Sequence, residues 1–412
     1  MKPIRLAGLA TLIALAACRH DPNEPLRIEA LPRELTSSEQ GLIRASNDFA
    51  FALLRETLSR HAPTDNVFIS PVSVSMALGM ALNGAAGQTW DSMRVALRLA
   101  GLSETEINAS YRSLIDLLRG LDPNVAFEIA NSVWYRLGYQ PLQPFLDVTR
   151  QSFDAEVTGL DFSSANAAGI INSWVNARTR GRITEIVSAP IPDDIIAYLV
   201  NAIYFKGAWT TRFDPARTVS GSFRLVGGGT VTAQMMNGPQ MPLWLHSEPG
   251  TLIGELSYGG GAWRATIVVP QEPSALDSLA RNLNSTQWDS WVAELDSTAM
   301  AVVMPRLELS YSLDSLNSAL KSLGMRNAFC DEPPGPDFSR FFPNACISDV
   351  RHRTFVLVNE EGTEAAAVTS VGVGLTSVPP SFTVDRPFLF IIRERFSGTI
   401  LFIGRIANPA VN

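Results

Sequence analysis

Directly after a strand-like apolar run comes Glu360-Glu361-Gly362-Thr363-Glu364-Ala365-Ala366-Ala367-Val368-Thr369-Ser370-Val371-Gly372-Val373-Gly374-Leu375-Thr376-Ser377-Val378-Pro379-Pro380, with no large apolar side chain before Leu375. Taken alternately, Thr363, Ala365, Ala367, Thr369, Val371, Val373 and Leu375 are small or apolar, whereas the opposite set holds Glu364 and Ser370. That is the period of a β-strand with one face suited to a core and one wet face. Gly372 and Gly374 weaken it as a permanent strand, and Pro379-Pro380 ends it. An ordinary surface loop fits the same composition.

Outward from this segment, helical and strand patterns mix without a repeating βα unit. Phe49, Leu53, Leu54 and Leu58 follow Ser37-Ser38-Glu39-Gln40, which resembles a helix capping box, and the pattern stops at His61-Ala62-Pro63. Ser73 to Leu82 and Ile170 to Thr179 read as helices, the second with Trp174 inward. Ala126 to Tyr135, Tyr198 to Phe205, Ala299 to Met304, Thr354 to Val358, Phe388 to Ile392 and Thr399 to Ile403 read as strands, the last two joined by a Ser397-Gly398 turn. No repeat and no Pro/Gly linker divides residues 38–412, so one large α+β domain is the simplest organisation.

The chain has 412 residues, 46% apolar and 18% charged, which describes a folded globular protein rather than a disordered one. Its net charge is −7, and Lys occurs only at positions 2, 206 and 321. With no basic cluster, a nucleic-acid surface would have to be built against the overall field, and no nucleic-acid partner is expected.

The one long apolar run, Leu6 to Ala17, follows Lys2 and Arg5 and is too short to span a bilayer. It ends in Leu15-Ala16-Ala17-Cys18, which looks like the lipobox of bacterial lipoproteins; an ordinary signal peptide cut near the Ala pair is the alternative. Residues 1–17 are thus expected to be a signal peptide. Residues 18–37, punctuated by Pro22, Pro25 and Pro32, should form a tether carrying lipid on Cys18, with a reach of at most ~60 Å at ~3.1 Å per residue. Export would place the protein in the cell envelope, in the periplasm or at the surface, or outside the cell, touching membrane through the lipid only. Cys330 and Cys346 would then be the remaining pair, suited to a disulfide around a loop of about 15 residues worth roughly 3 kcal/mol, with two free thiols as the alternative. A zinc site lacks ligands, since only His352 is near in sequence.

Four segments carry a resemblance. Asn66-Val67-Phe68-Ile69-Ser70-Pro71-Val72-Ser73, Val200-Asn201-Ala202-Ile203-Tyr204-Phe205-Lys206-Gly207-Ala208-Trp209, Glu360 to Ala367, and Phe382-Thr383-Val384-Asp385-Arg386-Pro387-Phe388-Leu389-Phe390 are similar, in order and spacing, to segments of the serpin family. The resemblance runs from about residue 38 to 412. It implies three β-sheets, eight or nine helices and an exposed reactive-centre loop, in a monomer that needs no catalytic residue, metal or cofactor. Its partner would be a serine protease, trapped as an acyl-enzyme when the cut loop inserts into the main sheet.

Family spacing makes Glu360, Glu361, Gly362, Thr363, Glu364, Ala365, Ala366 and Ala367 the hinge. Counting fourteen residues on from Gly362, and back from Pro387-Phe388, reaches the same reactive bond, Thr376–Ser377. Leu375 and Val378 flank it, and the small, uncharged bait suits elastase-like or subtilisin-like enzymes. Ser70, Ser73, Asn201 and His352 match a polar network under the middle of the main sheet, and Trp209 matches the aromatic at its top, where insertion begins.

Two rivals bear on function. Ser318-Ala319-Leu320-Lys321 fits the Ser-x-x-Lys pattern of penicillin-binding enzymes, but no Lys-Thr-Gly or Ser-Asp-Asn partner exists. A member of the same family that carries ligands without inhibiting is the second; such members tend to have Pro or charge in the hinge, and Ala365 to Ala367 has neither.

Overall fold

The computed structural model describes residues 27–332, 335–363 and 380–411. Among them are nine α-helices: α1 (Ser37–Leu58), α2 (Pro71–Leu82), α3 (Gly87–Ala96), α4 (Glu104–Leu118), α5 (Gln143–Phe153), α6 (Ala167–Arg178), α7 (Ala275–Asn282), α8 (Ser285–Ala293) and α9 (Asn317–Ser322). The strands are β1 (Val67–Ile69), β2 (Val125–Arg136), β3 (Ala155–Leu160), β4 (Ala197–Ala208), β5 (Val219–Arg224), β6 (Thr230–Glu248), β7 (Thr251–Tyr258), β8 (Trp263–Pro270), β9 (Asp296–Pro305), β10 (Leu307–Leu313), β11 (His352–Val358), β12 (Gly362–Thr363), β13 (Ser381–Thr383), β14 (Phe388–Glu394) and β15 (Ile400–Ile406).

Helix α1 starts one residue earlier than the box inferred from sequence. Thr36, not Ser37, is the cap: its Oγ1 accepts the Glu39 amide at 3.2 Å, while the Glu39 carboxylate accepts the Thr36 amide at 2.6 Å. The stripe Leu42, Phe49, Leu53, Leu54 and Leu58 is fully buried, each large side chain contributing about 1.5–3 kcal/mol of burial. Helix α2 is different. It opens on Pro71, which has no amide to leave unpaired, and buries ten of its twelve residues, including Ser73 and Ser75. A helix buried on all sides runs through the core.

Two sheets enclose that core. The main sheet has the order β10-β11-β12-β4-β2-β3, with β2 and β4 antiparallel from Val125↔Gly207 to Tyr135↔Ala197. The second runs β1-β15-β14-β8-β7-β6-β9-β13, with β5 on β6. Three sheets were implied; hydrogen bonding fuses two of them, because the 19-residue β6 continues from one to the other across a register shift between Asn237 and Gln240. Strands β8, β14 and β15 are buried along their whole length, which explains their unbroken apolar runs. A satellite cluster of Trp134, Ile171, Val175, Val187 and Val200 seats α6 against β2 and β4.

The N-terminal lead departs from expectation. Its residues from 27 on are held: the Ile28 amide donates to Gly260 O at 2.8 Å, Leu35 packs on the core, and Arg33 engages Glu39 and Ser113. Residues 28–37 are therefore part of the folded body rather than of the expected tether. Cys330 and Cys346 are joined as a disulfide, so the two-thiol alternative falls away. The segment between them turns Phe338, Phe341 and Ala345 into the core, with Phe341 edge-on to Phe145 at 4.8 Å. No described helix is long and apolar enough to cross a membrane.

Candidate functional site

Strand β12 is two residues long, and its position organises the site. Thr363 pairs antiparallel with Val358 of β11 on one side and Gly207 of β4 on the other. Because β12 is antiparallel to both neighbours, β4 and β11 run parallel to each other. Among the described residues no ladder joins β4 to β11 below Thr363.

The turn Asn359–Gly362 delivers the chain to this position. Gly362 has φ +150°, and a Cβ there would stand 2.0 Å from Gly207 O and 2.6 Å from Ala208 Cα, so only glycine fits. Thr363 is buried, and its Oγ1 lies 2.7 Å from the Tyr258 hydroxyl. Burial pushes that phenol's pKa well up, which keeps it neutral. Tyr258 stacks on Trp209 at 4.4 Å between ring centres and 12° between planes. Trp209 Nε1 donates to Asn359 O at 2.9 Å and its amide donates to Glu361 O at 2.7 Å, so one aromatic residue ties both ends of the turn. Glu360 accepts from Arg306 Nε at 2.7 Å and from Thr218. Burial raises the Glu360 carboxyl pKa, but these donors outweigh it and hold the group below the ordinary range.

Further down, Ser70, Ser73, Asn201 and His352 line one cavity of about 270 Å³ between β4, β11 and α2. They do not bond to one another as a single side-chain network. His352 Nε2 accepts the Ser70 amide at 2.9 Å, while the Ser70 hydroxyl donates to Leu401 O at 2.7 Å. Asn201 Nδ2 donates to Asn131 Oδ1 at 2.8 Å, and Asn131 in turn donates to Phe153 O at 2.6 Å. Asn201 Oδ1 is buried with no partner. Burial lowers the His352 pKa to about 4, so the ring is neutral.

Of the hinge expected from sequence, Glu360 and Glu361 lie in the turn and Gly362 and Thr363 form β12. Glu364, Ala365, Ala366 and Ala367, the bond Thr376–Ser377, its flanks Leu375 and Val378, and Cys18 lie outside the described residues. Sequence reasoning missed Asn131, Tyr258, Arg306 and Asn359. Asn131 was detectable in principle as a polar residue interrupting the apolar pattern of β2; the others reveal their roles only through long-range register. Lys321 of the Ser-x-x-Lys pattern is engaged by Asp331 at 2.6 Å and Glu332 at 3.2 Å. Among the described residues no group of three or more His, Cys, Asp and Glu is placed to hold a metal.

The elements define an α+β body whose main sheet seats Gly362 and Thr363 between two parallel strands. The chain belongs to the serpin family: the family profile described as serine protease inhibitor matches residues 44–409. Leukocyte elastase inhibitor of Bos taurus is 34% identical over 380 residues, covering 89% of this chain and 99% of its own. Iripin-3 of Ixodes ricinus is 33% identical over 374 residues, covering 88% of this chain and 93% of its own. Among solved structures, human thyroxine-binding globulin complexed with thyroxine superposes with TM-score 0.81 at 28% identity, over 91% of this chain and all of that one.

Proposed function

We propose that this protein is a suicide-substrate inhibitor of serine endopeptidases, cut at Thr376–Ser377 and directed at an elastase-like or subtilisin-like enzyme by Leu375, Thr376, Ser377 and Val378. The observation that carries this reading is the register of Gly362–Thr363. Continued unchanged, it brings Ala365 opposite Phe205 and Val356, Ala367 opposite Ile203 and Thr354, and Thr369 opposite Asn201 and His352. Thr363 faces the core, so the small and apolar alternate set would follow it inward, and the Thr369 hydroxyl would reach the unpartnered Asn201 Oδ1.

Energetics support it. With Thr363 already paired, inserting Glu364 to Leu375 extends β12 by twelve residues, about 40 Å at ~3.3 Å per residue, which sets the distance a tethered protease is carried. A dozen or more new ladder bonds contribute on the order of 10–20 kcal/mol. Entry has to outrun deacylation, and Ala365, Ala366 and Ala367 enter without desolvation cost. Ala365→Glu is expected to convert the inhibitor into a substrate: mixed with a panel of elastase-like and subtilisin-like proteases, the wild type gives an SDS-stable covalent band and the variant gives cleaved protein instead. An undiminished band from Ala365→Glu would reject the hinge role.

The likeness to thyroxine-binding globulin favours a second reading, a carrier that does not inhibit. Melting before and after loop cleavage separates the two, because insertion requires a large rise in Tm and a carrier requires none. Export, lipidation at Cys18, a leash ahead of residue 27 and a monomeric body complete the proposal; labelling with a fatty-acid analogue that Cys18→Ser abolishes would test the anchor.

A further inference from the structure

A cavity of about 530 Å³ lies beside the Asn359–Gly362 turn, bordered by β10, β11 and the chain end at Pro409 and Ala410. Glu361 lines it, is 7% exposed, and has an Oε1 with no hydrogen-bond partner. A desolvated carboxylate oxygen left without a donor is costly, so a cation delivered there replaces a deficit rather than competing with an existing bond. The basic side chain on the lining does not supply it: Arg306 borders the cavity, but its Nε and Nη2 each hold Glu360 at 2.7 Å. Glu308 stands exposed on the same lining. Three carboxylates against one guanidinium leave the cavity negative, while Ala233, Leu307, Val358 and Pro409 make part of its wall apolar. No three ligating side chains converge among the described residues, so the donor set suits an organic cation better than a metal ion.

We propose that this cavity binds a primary ammonium or guanidinium group on a short aliphatic stem, with Glu361 as the buried counter-ion and Glu308 contributing at the mouth. The stem would pack on the apolar wall and the charged head would supply the missing donor to Glu361. Glu361 sits one residue before Gly362, so an occupied cavity also holds the Asn359–Gly362 turn in the form that keeps Thr363 between β4 and β11. Binding is separate from inhibition and is tested without a protease.

Agmatine serves as the probe. Titrated into the full-length, disulfide-intact protein at constant ionic strength, it is expected to give saturable single-site heat and a rise in Tm. Glu361→Gln keeps the shape, removes the charge, and should weaken binding about tenfold or more. Glu308→Gln, on the exposed rim, should weaken it only about twofold to threefold. Neutral 1-pentanol at the same concentrations should not shift Tm. Absence of saturable heat, equal affinity in Glu361→Gln and wild type, or a larger loss from Glu308→Gln than from Glu361→Gln would each overturn the assignment. A covalent band from the protease panel in agmatine-free buffer would stand in all three cases, so failure here is distinct from failure of the inhibitor reading.

Discussion

At the top of the gap between β4 and β11, Trp209, Tyr258, Asn359 and Thr363 bond and stack on one another, whereas halfway down only the Ser70 amide meets His352, and the Ser70 hydroxyl and Asn201 turn to other neighbours. The upper group joins residues far apart in sequence through short contacts, and β12 is already a strand there. The middle group leaves Asn201 Oδ1 buried without a donor and a histidine kept neutral by burial alone. A finished junction stands above an unfinished one. Under the proposed insertion, a longer β12 would gain most there: its first pairs are made, and the Thr369 hydroxyl would arrive where an acceptor waits.

The largest effect should come from the finished junction. Trp209→Ala removes the stack on Tyr258 and the indole tie to Asn359 O, leaving only the amide tie to Glu361 O, and should cost about 3–5 kcal/mol of unfolding free energy in the uncleaved protein. If the cost is below about 1 kcal/mol, the top of the gap is not the locked end.

The middle should answer to acid. His352 is neutral in the fold, with a pKa near 4 against an ordinary 6.5, so the unfolded chain binds a proton that the folded one refuses between those values. Its contribution is constant above about pH 6.5 and is lost as the pH falls toward 4, by roughly 3 kcal/mol in total. His352→Gln can still accept the Ser70 amide and does not titrate. The stability difference between wild type and variant should therefore move toward the variant by that amount between pH 7 and pH 4, and a difference independent of pH would remove His352 from the account.

The smallest effect belongs to a single hydroxyl. Thr363→Val keeps the shape of the residue but leaves the buried Tyr258 hydroxyl without its partner, and should cost about 1–2 kcal/mol; Tyr258→Phe in the same background should recover part of it. Failure of that rescue would mean that the pair does not couple the hinge to β7.

Much of this was legible from residue order. The strand-like pattern of Ala126 to Tyr135 and the apolar runs Tyr198 to Phe205, Phe388 to Ile392 and Thr399 to Ile403 located β2, β4, β14 and β15. The rest depends on contacts that local pattern does not encode. Tyr258 and Thr363 are 105 residues apart, and Trp209 and Asn359 are 150 apart; their meeting is a matter of register across the two sheets. Asn201 was identified, but its partner Asn131 follows from the β2–β4 pairing, which no spacing within either strand fixes. The Pro-punctuated lead was read as tether to residue 37 because polar composition is silent about one backbone bond, that from Ile28 to Gly260.

That bond fixes where the lead joins the folded body. Gly260 adjoins Gly259, whose amide donates to Ala208 O at 2.8 Å, and Ala208 is the partner of Gly362. The lead thus joins the body within a few residues of the hinge. If Cys18 carries lipid as proposed, at most about 31 Å of chain at ~3.1 Å per residue separates the bilayer from that point, about half the span first inferred. Such an anchor would keep the bait end close to the headgroups, and proteases resident on the same membrane would meet it more readily than enzymes diffusing in the surrounding fluid.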